Sequence, residues 1–246
     1  MFGWLRGKEP SARLPGLLAD YPSFAPPHRG RTIKSAKTGP LLTIDQCREN
    51  LSAYRAAMPE RLAVLGTLLA RLGIDTAQAY SDPVGFVRLL HPTMKTELPS
   101  VYRLEARDQE RCDLSDRAGP DIALSLMADL AMLESDVLMH AKPGCFVGLN
   151  LDPGDRDMSY YRRPCLLGLM DRLFPGPPDI WDLEGEWFGI YANMDDPRRF
   201  ALPDRVIPEA YGAVIGGPML QRLDRYIVDP KLDERMRTSW LGEAAA

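Results

Sequence analysis

One β-hairpin pattern interrupts a chain whose apolar residues otherwise follow helical spacing. Cys145–Asp152 alternates apolar and polar side chains, with three aliphatic residues on one side, which is typical of a half-buried strand. Pro153–Asp157 has the composition of a turn, and Tyr160–Arg163 is expected to begin the return strand. Residues 145–167 are therefore predicted to form an antiparallel hairpin with a polar tip, so the chain cannot be purely helical.

Apolar residues three and four positions apart predict helices over much of the remaining chain. The most regular pattern covers 119–140, the expected central helix, whose serine and aspartate residues lie largely outside the apolar stripe. Thr43 is expected to cap another helix, and Pro59 to divide it into an αα-hairpin. Asp82 is the predicted start of a further helix that Pro92 stops.

Two further helices are predicted in the last third of the chain, the first with a strand as its alternative. Residues 179–194 fit helical spacing over a longer run than they fit alternation, so a helix whose start is indicated by residues 177–179 is favoured, and a strand stays open. Pro218 is expected to begin a helix that continues through Ile227.

Residues 1–43 differ from the rest in charge and composition. They contain six prolines, with seven Lys/Arg against two Asp/Glu, a net charge of +5. Since the whole chain carries −4, the remainder carries −9. We expect 1–43 to form an extended, Pro-rich basic arm and 44–246 to form one domain, because no linker divides the later sequence.

The predicted fold class is therefore α+β and mainly α. It comprises about seven helices, one small antiparallel hairpin or sheet and the N-terminal arm. Cys145 and Cys165 are expected to face each other across the hairpin, and whether they form a disulfide stays open. The four cysteines have no spacing typical of a zinc or redox site, so reduced thiols in a cytoplasmic protein are the simpler interpretation.

Composition also limits the partner classes. A net charge of −4 gives no general attraction to nucleic acid or to an anionic membrane. No apolar run is long enough to predict a membrane span. No sequence motif indicates a cofactor or a metal site, and the three histidines lie far apart.

Two polar and aromatic segments are the candidate binding surface, because interfaces are rich in such side chains. One is the hairpin tip and the other is the acidic, aromatic stretch 179–191. The predicted binding residues are Asn150, Asp152, Asp155, Asp157, Arg162, Arg163, Glu184 and Trp187.

These patterns favour a non-catalytic protein-recognition module that binds another protein, with a homodimer left open. The alternative is a hydrolase or metal-assisted enzyme that combines the hairpin-tip carboxylates with His140, the candidate catalytic residue. A pocket that joins His140 to those carboxylates would favour the enzyme, whereas a solvent-facing tip would favour recognition.

Overall fold

A computed structural model describes residues 13–34, 36, 38–98, 109–174, 179–194, 200, 206 and 208–230. Within these residues the chain forms eight α-helices and four short strands, so the predicted class, mainly α with a small antiparallel sheet, is confirmed. The helices are α1 (Arg13–Leu18), α2 (Ile44–Arg71), α3 (Gln78–Ser81), α4 (Pro83–Glu97), α5 (Gln109–Leu114), α6 (Ile122–Ala141), α7 (Leu183–Ala192) and α8 (Gly217–Arg225). The strands are β1 (Phe146–Leu149), β2 (Pro164–Asp171), β3 (Asp179–Trp181) and β4 (Tyr226–Val228).

Helix α6 is the centre of the fold, as its apolar pattern predicts. It packs against α2, α7, α8 and β1, so its side chains are covered on more than the apolar stripe. Ser125, Asp129, Glu134 and Ser135 are all buried along with the leucines and methionines. A helix enclosed in this way must have partners for its buried polar groups. Arginines elsewhere in the chain pair with the two acids, and backbone carbonyls accept hydrogen bonds from the two serines.

Helix α2 runs unbroken through Pro59, so the predicted αα-hairpin is wrong. Thr43 caps it as expected, since its hydroxyl accepts from the Gln46 amide while the Gln46 side chain accepts from the Thr43 amide. Pro59 lies on the solvent side, where the missing backbone hydrogen bond leaves a carbonyl that water can reach. The apolar residues before and after Pro59 belong to one core, which stabilises a single long helix.

Helix α4 shows the same effect at Pro92. Asp82 caps it and Pro83 occupies its first turn, as predicted, and the Asp82 carboxylate accepts from the Gly85 amide at 2.9 Å. The expected stop at Pro92 is wrong, because the helix continues to Glu97. His91 is buried beside Pro92, and its Nδ1 accepts a hydrogen bond of 2.9 Å from the Ile215 amide.

Strand β2 organises the sheet. It pairs antiparallel with β1 near its start and with β4 near its end, while β3 lies on its opposite edge. A β-bulge between Leu166 and Leu169 accommodates Gly168, whose φ of +91° suits a residue without a Cβ. Two predictions need correction here: β3 occupies 179–181, so the helix begins after an Asp182 cap, and Tyr226–Val228 form β4 rather than the end of a helix.

The hairpin is confirmed, but its register separates the two cysteines. Gly148, not Cys145, lies opposite Cys165. An offset of three residues is about 10 Å along a strand, beyond the reach of a disulfide. Both cysteines are free and buried, and the expectation that they face each other is wrong. Burial raises the pKa of the Cys145 thiol to about 11.

The described part of the N-terminal arm, from residue 13 onward, packs on the helical body. Leu14, Leu18 and Leu42 are buried in the same core as α6. The Tyr21 hydroxyl donates to the Asp129 carboxylate, which also receives two hydrogen bonds from Arg61, at 2.8 and 2.6 Å. This buried triad joins the arm to α2 and α6; residues 1–12 of the arm lie outside the described residues.

Across the described ranges, none of the helices combines the length and apolarity that crossing a bilayer requires.

Candidate functional site

The loop between β1 and β2, residues 150–163, is held in shape by its own polar groups. Asn150 is fully buried at its base, and its side-chain amide donates to Asp155 at 2.9 Å. Asp152 accepts from the Gly154 amide at 2.8 Å, which closes a short 3₁₀ turn over 153–155. The Arg162 amide donates to the Asn150 carbonyl at 2.9 Å and closes the loop. The tip is therefore an ordered turn.

The outer part of this loop faces solvent. Asp152, Arg156, Asp157 and Met158 are exposed, while Asp155 is half-buried. The Arg156 Nε lies 3.6 Å from the Asp157 carboxylate, but both side chains are about three-quarters exposed, at 75% and 73%. Such a pair contributes little to stability because water screens it. We refer to residues 152–159 as the tip surface.

Arg163, which the sequence assigns to the same tip, lies in the interior. Its guanidinium contacts three carboxylates: Asp113, Asp182 (Nε to Oδ2, 2.7 Å) and Glu184 (Nη2 to Oε2, 3.5 Å). Burial alone would lower the pKa of Arg163, but these acids raise it well above its usual value. The residue holds the fold together and offers no surface to a partner.

Glu184 is also internal, because Arg117 binds it through both guanidinium nitrogens at 2.6 and 3.0 Å. Burial favours the neutral acid, yet Arg117 and Arg163 outweigh it, so the pKa of Glu184 is lowered. Arg117 stacks over the Phe188 ring, 5.0 Å from its centroid. The prediction that Glu184 belongs to a binding surface at 179–191 is therefore wrong, because two arginines that are distant in sequence pair with it.

Trp187 belongs to a second buried cluster, formed with Arg222. Its indole Nε1 donates to Glu134 at 3.0 Å, and only 2% of its surface is exposed. Arg222 contacts both Glu134 and Glu186, and its guanidinium lies 3.9 Å from the centroid of Trp181. The predicted aromatic contact surface is thus core. Sequence patterns missed Arg117 and Arg222 as partners, since nothing local distinguishes them from solvated arginines.

A small cavity with both polar and apolar walls lies between the arm and the Arg163 cluster. Its volume is about 40 Å³, enough for a few water molecules. His28 and Asn50 line it from one side, and Arg117, Arg162 and Arg163 line it from the other. The Asn50 side chain holds the arm, accepting from the His28 amide and donating to the His28 carbonyl, both at 2.9 Å.

His140 lies apart from the tip carboxylates. It is exposed at the end of α6, where its ring meets Tyr80 edge-on at 5.6 Å. Strand β1 runs from this end of the molecule toward the tip, and the cavity between the arm and the Arg163 cluster is lined without His140. That cavity therefore does not join His140 to the tip carboxylates, as the enzyme alternative requires. Among the residues that the structure describes, no three or more His, Cys, Asp or Glu side chains form a group that could hold a metal ion.

Of the eight predicted binding residues, the structure therefore brings five to the hairpin loop: Asn150, Asp152, Asp155, Asp157 and Arg162. The other three, Arg163, Glu184 and Trp187, are internal. Comparison of the chain with protein-family models, with curated proteins and with solved structures finds no match.

Proposed function

We propose that this protein is a non-catalytic recognition protein, acting in the cytoplasm, whose tip surface contacts another protein. The observation that carries the proposal is an ordered, exposed turn with an apolar side chain at its end. Met158 is 47% exposed and lies between two exposed polar residues, Asp157 and Ser159. An exposed methionine is an adaptable contact residue, and it suits protein surfaces that bind partners.

The rigidity of the loop supports this function. The Met158 amide donates to the Asp155 carbonyl at 2.8 Å, and the Tyr161 amide donates to the Met158 carbonyl at 3.0 Å. With the Asn150–Asp155 hydrogen bond, these contacts order the loop before any partner binds. Less conformational entropy is then lost on binding, which favours affinity.

The cytoplasmic location rests on the cysteines. Cys47, Cys112, Cys145 and Cys165 are all free and buried. Unpaired thiols of this kind persist where the compartment keeps them reduced.

The test compares Met158→Glu with Leu89→Glu. Leu89 is an apolar residue on α4 with similar exposure, 43% against 47% for Met158, so it is a matched control. Each full-length protein is immobilised, and the proteins that it retains are quantified. We expect a partner that wild type and Leu89→Glu retain equally and that Met158→Glu loses by about tenfold or more.

Light scattering of the three proteins shows whether the partner is a second copy of the chain. If the tip contact forms a homodimer, wild type and Leu89→Glu are dimers and Met158→Glu is a monomer. Identical retained proteins and identical molar masses for all three would contradict the proposal.

A further inference from the structure

A groove lies between the N-terminal arm and the hairpin loop, and it is distinct from the outward-facing Met158. Its volume is about 460 Å³, within the range of small-molecule sites, roughly 300–1,000 Å³. The side chains that give it its chemistry are Lys34 and Leu41 from the arm, and Arg156, Asp157, Tyr161 and Arg162 from the loop.

The groove is cationic on a protein whose net charge is −4. Lys34, Arg156 and Arg162 are opposed by one acid, Asp157. Asp157 already lies 3.6 Å from Arg156, so the charges of Lys34 and Arg162 are those left without an acid in the lining. A negatively charged ligand is therefore attracted here, while the acidic remainder of the chain disfavours a long polyanion.

Arg162 differs from the other arginines that reach this part of the interior. Arg163 and Arg117 each contact carboxylates, whereas Arg162 has none within 4.0 Å among the described residues. Its Nη1 makes one long hydrogen bond, 3.4 Å, to the Leu42 carbonyl. Its guanidinium also lies over the Tyr161 ring at 5.1 Å.

The backbone at Arg162 is strained as well. Its φ is +61°, a conformation that costs energy for a residue with a long side chain. This conformation directs Arg163 to the buried acids while Arg162 lines the groove. A strained, half-buried arginine that has no counter-ion within the described part of the chain is the feature that a bound anion would complete.

The opposite wall of the groove is formed before any ligand arrives. Arg31 holds the arm in a loop, since its Nη1 donates to the Lys34 carbonyl at 3.0 Å and also to the Ala36 carbonyl. The Arg31 amide donates to the Pro40 carbonyl and the Leu42 amide to the Arg31 carbonyl, each at 2.9 Å. These hydrogen bonds join the two parts of the arm from which Lys34 and Leu41 line the groove.

We propose that this groove binds the oxyanion group of a small molecule, a phosphate or a carboxylate. Arg162 and Lys34 hold the anion, and Tyr161 and Leu41 provide apolar surface for the rest of the ligand. This site goes beyond the recognition function proposed above and does not depend on it.

The experiment is isothermal titration calorimetry of the full-length protein with two probes, inorganic pyrophosphate and citrate, at matched ionic strength. We expect saturable binding of at least one probe. Arg162→Gln and Lys34→Gln should each weaken it by about tenfold. Asp157→Asn should strengthen it several-fold, because a competing carboxylate is neutralised. Arg48→Gln is the control, since Arg48 is a half-buried arginine paired with Asp45 on α2, outside the groove.

Binding of pyrophosphate alone assigns the site to phosphate ligands, and binding of citrate alone assigns it to carboxylates. Absence of saturable binding of both probes up to roughly 10 mM overturns the proposal. So does binding that Lys34→Gln leaves unchanged; Lys34 is exposed, so this variant should fold even if Arg162→Gln does not. Met158→Glu should bind the probes like wild type, which separates this test from that of the tip surface.

Discussion

Arg163 Nε lies 2.7 Å from the Asp182 carboxylate, which ties the residue before β2 to the N-terminus of α7. The same carboxylate caps α7 by accepting from the Gly185 amide at 2.9 Å. Asp182 thus caps the backbone of α7 and also neutralises the charge of Arg163. The contact explains why an arginine from the hairpin loop is buried rather than exposed at the tip.

Replacing Arg163 should destabilise the fold strongly. Arg163→Met leaves Asp113 and Asp182 buried without their counter-ion, and we expect a loss of about 3–5 kcal/mol in the free energy of unfolding. Urea denaturation followed by circular dichroism measures it. Arg156→Met, at an exposed arginine of the same loop, should change stability by about 0.5 kcal/mol or less. A loss below about 1 kcal/mol for Arg163→Met would contradict the structural role.

Tyr21 should anchor the N-terminal arm. Tyr21→Phe removes the hydroxyl that donates to the buried Asp129 carboxylate, and we expect a loss of about 1–3 kcal/mol. Tyr80→Phe is the control, because Tyr80 donates to Asp136 in a more exposed setting and should lose less. Trypsin should also cleave the arm of Tyr21→Phe faster than that of Tyr80→Phe. Equal stability and equal cleavage of the two variants would show that the arm does not depend on this contact.

His91 should make stability depend on pH below neutrality. Burial lowers the pKa of His91 to about 4, and the nearby Lys95 adds to this effect. An unfolded histidine takes up its proton near pH 6.5, so the unfolded state binds more protons than the folded state between about pH 6.5 and 4. The contribution of neutral His91 to stability is therefore fully present above pH 6.5 and is lost as pH falls toward 4, on the order of 3 kcal/mol in all.

The measurement is urea unfolding of wild type and His91→Asn at pH 7.5 and 4.5. The comparison is between two proteins because Glu134 also makes stability depend on pH, in the opposite sense. Burial raises the pKa of Glu134 to about 7, so the folded protein takes up this proton before the unfolded protein does. Both proteins contain Glu134, so the difference between their stabilities isolates His91. We expect the advantage of wild type at pH 7.5 to shrink at pH 4.5. An advantage that does not change with pH would contradict the assignment.

Pro59 should be a site where stability can be gained. Because α2 continues through it, Pro59→Ala restores an amide that can donate to the Arg55 carbonyl. Removing proline from the helix interior should raise the free energy of unfolding by up to about 3 kcal/mol. Alanine also makes the unfolded chain more flexible, which lowers the free energy of unfolding by about 1 kcal/mol, so we expect a net gain of about 2 kcal/mol. Pro83→Ala, in the first turn of α4, should bring no such gain, since that amide has no helical partner. The measurement is the melting temperature of each variant. Equal melting temperatures would argue against a loss of stability caused by Pro59 in α2.

Local patterns predicted those elements whose signals are local. The period of the α6 sequence, the Thr43 and Asp82 caps and the alternation before Asp152 each depend on neighbouring residues, and each prediction is confirmed. The errors at Pro59 and Pro92 share one cause. Proline weakens a helix locally, but tertiary packing on both sides of it stabilises the helix more.

The candidate site was predictable only in part. The turn around Asp155 and the exposure of Asp157 follow from sequence, because turn-forming residues lie at surfaces. The different locations of Arg162 and Arg163 do not follow from the sequence, since two adjacent arginines have identical chemistry. Their separation, one at the groove and one among buried acids, depends on a positive φ and on carboxylates 50 and 19 residues away, at Asp113 and Asp182.

By itself, the sequence determined the fold class, the central helix and the hairpin, because apolar periodicity and capping act over a few residues. Only the tertiary structure decided which charges are buried. Asp129, Glu134 and Glu184 resemble solvated residues of amphipathic helices until Arg61, Arg222 and Arg117 meet them. An ion pair in the interior forms only when distant segments pack together, because desolvation of either partner alone is too unfavourable.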